Sequence, residues 1–262
     1  MLTLISVLLF FVSAGLLTWY FLKSDRGQKE PTGALFAAMG FGFLAVVLAF
    51  ILELFLPNVD KKGVALGTLF FTSLGVGIIE ESAKFVPLAL FIKGKSYFNE
   101  HTDGIIYFAI SGLTFGTIEN LLYVLAYSSK LGGGQLTGIF RLIILFFFHA
   151  ASTGIIGYYL AKSKIRHQSN WRPVIALATL ATIHGLYDFL FFYGSYSANR
   201  GGPTSDSSTI ILVLALITGL IISALLNTFL FLYFRRARQW DASIGLAYDP
   251  KLGQPAPVSP GV

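Results

Sequence analysis

Runs of about 20 apolar residues, parted by short polar stretches, recur along the whole chain, which is the pattern of helices that cross a bilayer. It predicts seven helices, at about 2–22, 34–56, 64–92, 104–127, 136–161, 172–193 and 209–234. The third run breaks its own pattern. In GIIEESAKFVPLALF, residues 77 to 91, Glu80, Glu81 and Lys84 sit in an otherwise apolar sequence. Polar groups interrupt the next three runs as well: Glu119 and Asn120 in FGTIEN, His149, Ser152 and Thr153 in FFFHAAST, His184 and Asp188 in IHGLYDF.

Composition agrees with a membrane solvent. Hydrophobic residues make up 55% and charged residues 12%, where a soluble domain carries about 25% charged. The net charge of +6 does not point to nucleic acid, because Lys and Arg fall almost entirely in short loops. Alternate loops, counted from the first and including the tail, hold 13 of them and the other loops hold 4. The positive-inside rule then sets the amino terminus outside and the carboxyl terminus in the cytoplasm. The first run has no basic n-region and no A-x-A site, so it reads as an uncleaved span rather than a signal peptide. With no cysteine, disulfides and thiolate metal sites are excluded. The expected organisation is an all-α, polytopic membrane helix bundle over 1–238, then a Pro- and Gly-rich disordered cytoplasmic tail over 239–262.

The ionisable groups lie at one depth. From the cytoplasmic ends of their runs, Glu81, Glu119, His149 and His184 are 12, 16, 13 and 12 residues in, roughly 18 to 24 Å along each helix. A charged side chain at the bilayer centre costs about 2.5 to 3.5 kcal/mol on insertion scales and normally faces a protein interior or a water cavity. Glu80 and Lys84, four apart, are spaced to pair and to leave Glu81 free. His184 and Asp188 share that spacing, so Asp188 is placed to orient the ring. Together Glu80, Glu81, Glu119, Asp188 and Lys84 carry a formal −3, which requires a hydrated cavity, protons or a cation.

Each of these residues also has a structural reading. Lys84 serves as the partner of Glu80, a lone histidine ties helices together, Asn120 does the same, and Ser152 and Thr153 bond their own backbone. Glu53 and Arg141 lie near outer span ends and are assigned no function. Gly112-x-x-x-Gly116 permits close helix packing. Two histidines, several carboxylates and no cysteine around one wet cavity suit water activation, or the movement of protons or cations. Neither a Ser-His-Asp arrangement nor H-E-x-x-H is present.

EESAK at 80–84, FGTIEN at 115–120, HAASTGIIGY at 149–158 and HGLYDF at 184–189 resemble the PrsW family of intramembrane proteases. That family is similar to the wider group of membrane CAAX prenyl endopeptidases and bacteriocin-processing enzymes. The likeness covers about 80 to 190, and DGIIYFAISGLTFGTIENLLYV at 103–124 repeats the family's spacing. It implies a protease of the cell membrane that cuts membrane-anchored protein substrates, such as anti-sigma factors, with Glu80 and Glu81 in water activation. His149 and His184 match the family's two histidine motifs, Asp188 the acidic position after the second, and Glu119 with Asn120 the Glu-Asn motif. The CAAX-type relatives end their paired-glutamate motif in Arg five residues on, whereas Lys84 here stands four on, which favours the PrsW branch.

The sequence reading is therefore an intramembrane endopeptidase with Glu80, Glu81, His149 and His184 as catalytic residues. Glu81 is the preferred general base, because Lys84 is spaced to hold Glu80. His149 and His184 bind a divalent metal, zinc, with Asp188 in the ligand set, or else stabilise the oxyanion without metal. Lys84, Glu119, Asn120 and Asp188 support the site. The rivals are a proton- or cation-coupled transporter, against which no repeated or broken span pair is visible, and a non-catalytic helix scaffold.

Overall fold

Seven helices form the computed structural model of the chain: α1 (Leu2–Ser24), α2 (Thr32–Glu53), α3 (Leu66–Ile92), α4 (His101–Tyr127), α5 (Gly133–Ile165), α6 (Trp171–Gly201) and α7 (Asp206–Ser243). The structure describes the backbone of residues 2–59, 64–127, 133–167, 169, 171–201, 206–243, 248–249 and 254–255. It describes the side chains of 8–59, 64–125, 147–167, 169, 171–193, 210–211 and 213–243. The chain is a helical membrane bundle. Among the described residues, four helices pass for spans on length and hydropathy together: Thr32–Glu53, His101–Leu125, Trp171–Tyr193 and Val213–Ser243. In α3 the apolar run is interrupted by Glu80, Glu81 and Lys84.

α4 is the central helix and packs chiefly on α5, with α1, α2 and α7 also against it; α3 lies between α2 and α6. Small residues permit this. A Cβ on Gly104 would overlap the carbonyl oxygen of Gly157, and one on Gly157 would stand 2.6 Å from Phe108 Cβ. Gly157→Val is therefore expected to separate α4 from α5. Overpacking of this kind costs about 1–3 kcal/mol, and with backbone on the far side the upper end applies. A fall in the thermal unfolding temperature of the purified protein checks it. Outward-facing residues such as Phe36, Phe55 and Leu90 are 67%, 83% and 80% exposed, as expected of surfaces solvated by lipid rather than water.

α7 runs nine residues past 234, the end that hydropathy gives, because its last turns pack on a polar end of the bundle rather than in lipid. There Asp241 closes the first turn of α4. Its Oδ1 accepts from His101 N (2.9 Å) and His101 Nδ1 (2.6 Å), and its Oδ2 accepts from Thr102 N (3.1 Å) and Thr102 Oγ1 (3.2 Å). A carboxylate at a helix N-terminus satisfies orphan N–H groups and complements the dipole. Gln28 N donates to Glu100 Oε1 at 2.8 Å, and Lys164 Nζ to Phe98 O at 2.6 Å. The ring of Trp240 carries Arg166, Lys162 and Arg236 at 4.0, 4.5 and 4.9 Å. The loops after α1, α3 and α5 thus meet the end of α7 on one side, the same alternate segments that hold most of the basic residues. Of the expected tail, residues 239–243 continue α7. Beyond them the described residues form one two-residue antiparallel pairing, Tyr248–Asp249 with Gln254–Pro255, and the rest of the tail lies outside the described residues.

Candidate active site

Glycines again decide where side chains meet. A Cβ on Gly185 of α6 would stand 2.6 Å from Leu74 Cα, and one on Gly77 of α3 would overlap the backbone of Ala181. This backbone-to-backbone contact sets His184 beside Glu80 and Glu81, one turn above Gly77. On the other side a Cβ on Gly116 would reach His149 Cδ2 at 2.9 Å, and one on Gly112 would overlap the His149 carbonyl oxygen. The Gly112-x-x-x-Gly116 stripe does permit close packing, and what it admits is His149. Hydropathy could not single out Gly77 and Gly185, since small residues in spans are common.

Lys84 is the hub. It is fully buried, and its Nζ lies 2.6 Å from Glu81 Oε1, 2.8 Å from His149 Nδ1, 3.9 Å from Glu80 Oε2 and 4.6 Å from the centre of the Phe115 ring. The expected ion pair with Glu80 is present at 3.9 Å, but Lys84 also bonds Glu81, three residues away, and more closely. Both spacings lie on one helix face, and the position of His149 draws the ammonium to the Glu81 side. An ammonium has only donors, so His149 accepts at Nδ1 and donates from Nε2 to Glu119 Oε2 at 2.8 Å.

Glu81 holds His184 at one ring nitrogen: Nδ1 donates to Glu81 Oε1 at 2.9 Å. Its Nε2 faces Glu80 Oε2 at 3.7 Å and Asp188 Oδ2 at 3.5 Å. Glu80 Oε2 and Glu81 Oε2 are buried with no hydrogen-bond partner. The rings of His149 and His184 lie 5.4 Å apart, and Phe148 packs on both. Glu80, Glu81, Lys84, Asn120, His149 and His184 are all buried, while Glu119 and Asp188 keep side-chain exposures of 16% and 15%. The site is thus largely enclosed by protein, and direct ion pairs offset part of its formal charge. Glu119 and Asp188 mark its open edge.

Glu53, to which sequence assigned nothing, comes within electrostatic reach of Glu119, Asp188, His184 and Lys84, and its Oε1 is buried without a partner. Lying at the very end of α2, it gave no periodic signal. Arg141, likewise assigned no function, lies outside the described side chains. Ser152 Oγ bonds the His149 carbonyl at 3.3 Å, a backbone role, whereas Thr153 Oγ1 is buried without a partner.

The site tests well for a cation. Glu80 Oε2, buried without a hydrogen-bond partner, lies 3.7 Å from His184 Nε2. Glu80, His149 and His184 each offer a ligand atom within 4.8 Å of the others. Two imidazoles and a carboxylate are a ligand set of hydrolytic zinc sites.

Buried carboxylates and imidazoles from four helices thus meet around a lysine inside a membrane bundle. The description "PrsW family intramembrane metalloprotease" matches residues 30–222. Proteins named Protease PrsW are similar to this chain. The one from Bacillus subtilis (strain 168) is 32% identical over 178 residues, 67% of this chain and 77% of that protein. The one from Geobacillus kaustophilus (strain HTA426) is 30% identical over 176 residues, 67% and 74% of the two chains, and the one from Clostridioides difficile (strain 630) is 29% identical over 179, again 67% and 74%. No solved structure matches. The chain belongs to the PrsW family of intramembrane metalloproteases: it is an intramembrane endopeptidase, and the transporter reading is set aside.

Proposed function

We propose that this protein cleaves membrane-anchored protein substrates at a site where Glu80 is the general base, rather than the Glu81 that helix spacing favoured. One observation carries this choice. Glu81 Oε1 accepts from both Lys84 and His184, whereas Glu80 Oε2 is buried, without a partner, and faces His184 Nε2. A carboxylate oxygen that no donor occupies is free to take a proton from water. Water oxygen attacks the peptide carbonyl while Glu80 Oε2 takes its proton. The C–N bond then breaks, and the proton that Glu80 took from water passes to the leaving nitrogen, directly or relayed through His184 Nε2, 3.7 Å from Glu80 Oε2. Lys84 holds Glu81 and His149 in place, and its ammonium opposes the negative charge that develops on the carbonyl oxygen.

A divalent metal, zinc being the choice of this donor set, would be held by Glu80, His149 and His184 and would supply an acidified water. His149 meets that role only on exchanging its bond to Lys84 or Glu119. Glu80 is required either way.

The test is purified protein reconstituted with a membrane-anchored substrate, such as an anti-sigma factor, read by the masses of the two products. Wild type is expected to give both fragments, and His184→Ala to slow their appearance by roughly 10³-fold or more. Wild-type rates from His184→Ala would overturn the assignment.

A further inference from the structure

A second feature lies between α1 and α2. Among the described residues α1 packs on α4 and α5 and makes no packing contact with α2. The gap between α1 and α2 is a groove of about 1300 Å³, floored by α4 at Ile110, Leu113 and Thr117. Its walls are apolar through the membrane, with Phe11 and Gly15 on α1 and Leu35 and Met39 on α2. At one end it is rimmed by Lys23, Arg26 and Lys29, all exposed, from the loop after α1. Lys23 Nζ rests over the ring of Trp19 at 4.6 Å, an aromatic–cation pairing typical of the membrane interface. Asp25 and Glu30 share the rim, but burial raises both carboxyls, that of Glu30 to about 7, and so weakens the charge they set against the three cations. Glu30 is further engaged by the hydroxyl of Tyr107.

Two occupants suit an apolar slot with a cationic mouth, and charge separates them. The positive-inside rule puts this end in the cytoplasm. A spanning helix of any protein partner obeys the same rule and brings Lys and Arg to this leaflet, where they would meet Lys23, Arg26 and Lys29. An anionic phospholipid brings the complementary sign: acyl chains along the apolar walls, and a phosphate at the rim held by charge-assisted hydrogen bonds. We propose that the α1–α2–α4 groove is a binding site for an anionic glycerophospholipid of the cytoplasmic leaflet, its headgroup on Lys23, Arg26 and Lys29.

Gly15 supplies a clean test, because a Cβ there meets no heavy atom within 4 Å. A large side chain at Gly15 enters the groove without pushing on the backbone, and it leaves the loop charges that set topology untouched. Full-length protein would be stripped in detergent, given phosphatidylglycerol or phosphatidylcholine of identical acyl chains, and weighed by native mass spectrometry. Wild type is expected to hold one phosphatidylglycerol about 10-fold more tightly than phosphatidylcholine, a difference of about 1.4 kcal/mol. The triple variant Lys23→Gln, Arg26→Gln, Lys29→Gln should lose that preference to within about 2-fold, and Gly15→Phe should lower retention of both lipids about 10-fold. A photocrosslinker at Thr117, used in membranes, should label lipid. Equal retention of the two lipids by wild type, undiminished binding by Gly15→Phe, or a Thr117 crosslink to a protein span instead of lipid would each overturn the proposal.

Discussion

Glu80→Gln is expected to abolish cleavage, by a factor of about 10³ or more, while the protein still accumulates in membranes at close to the wild-type level. The two halves of that expectation have separate causes. Glu80 Oε2 makes no hydrogen bond that a glutamine would break, and it stands 3.9 Å from Lys84, so the ion pair that holds the site together survives the change. The proton acceptor does not survive, and neither does an anionic ligand for a metal. Glu81→Gln should behave differently. It removes the acceptor for both Lys84 and His184, and a buried charge deprived of its partner costs about 3–5 kcal/mol. Glu81→Gln should therefore lose folded protein as well as activity. Comparing membrane abundance and cleavage rate across the two variants checks the pair. A stable, inactive Glu81→Gln beside a Glu80→Gln that still cleaves would return the base to Glu81.

The second large effect is expected at Lys84. Lys84→Met preserves length and apolar volume but removes the donor to Glu81 and to His149 Nδ1. Glu81 is then a buried carboxylate without its cation, and His149 is free to change tautomer and release Glu119. Loss of about 3–5 kcal/mol of stability is expected together with loss of cleavage. A shift in thermal unfolding of the detergent-purified protein gives the first, and product mass the second. Lys84→Arg should not rescue, because a planar guanidinium fork has no room in a pocket closed by Phe115 and both histidines. The double variant Lys84→Met, Glu81→Gln should recover part of the folded protein lost by either single change, since the two charges are removed together. Cleavage at the wild-type rate by Lys84→Met would show that the lysine is a bystander.

The sequence made the seven helices legible, and also which of them carry the polar groups, because both are written in apolar run length. It did not make the pairing legible. Spacing alone offered Glu80 to Lys84 and Asp188 to His184, and in each case another acceptor on a neighbouring helix or turn is nearer. A side chain at mid-span can reach i+3 or i+4 on its own helix at nearly equal cost, so the choice falls to what the next helix presents, and that depends on Gly77 against Gly185 and Gly116 against His149. Glu53 stayed hidden for the same reason: nothing local to the end of α2 distinguishes a carboxylate aimed at a site from one aimed at water. Conversely, the joint depth of Glu81, Glu119, His149 and His184 was visible from counting alone, and these residues do converge, Glu81 on His184 and Glu119 on His149.

One carboxylate finishes the first turn of α4 from 140 residues further along the chain. During synthesis, therefore, the His101 and Thr102 amides of the helix that bears Glu119 can receive this carboxylate only after residue 241 has been made, and until then they are left to water. The native cap of α4 is thus among the last contacts that a growing chain can make.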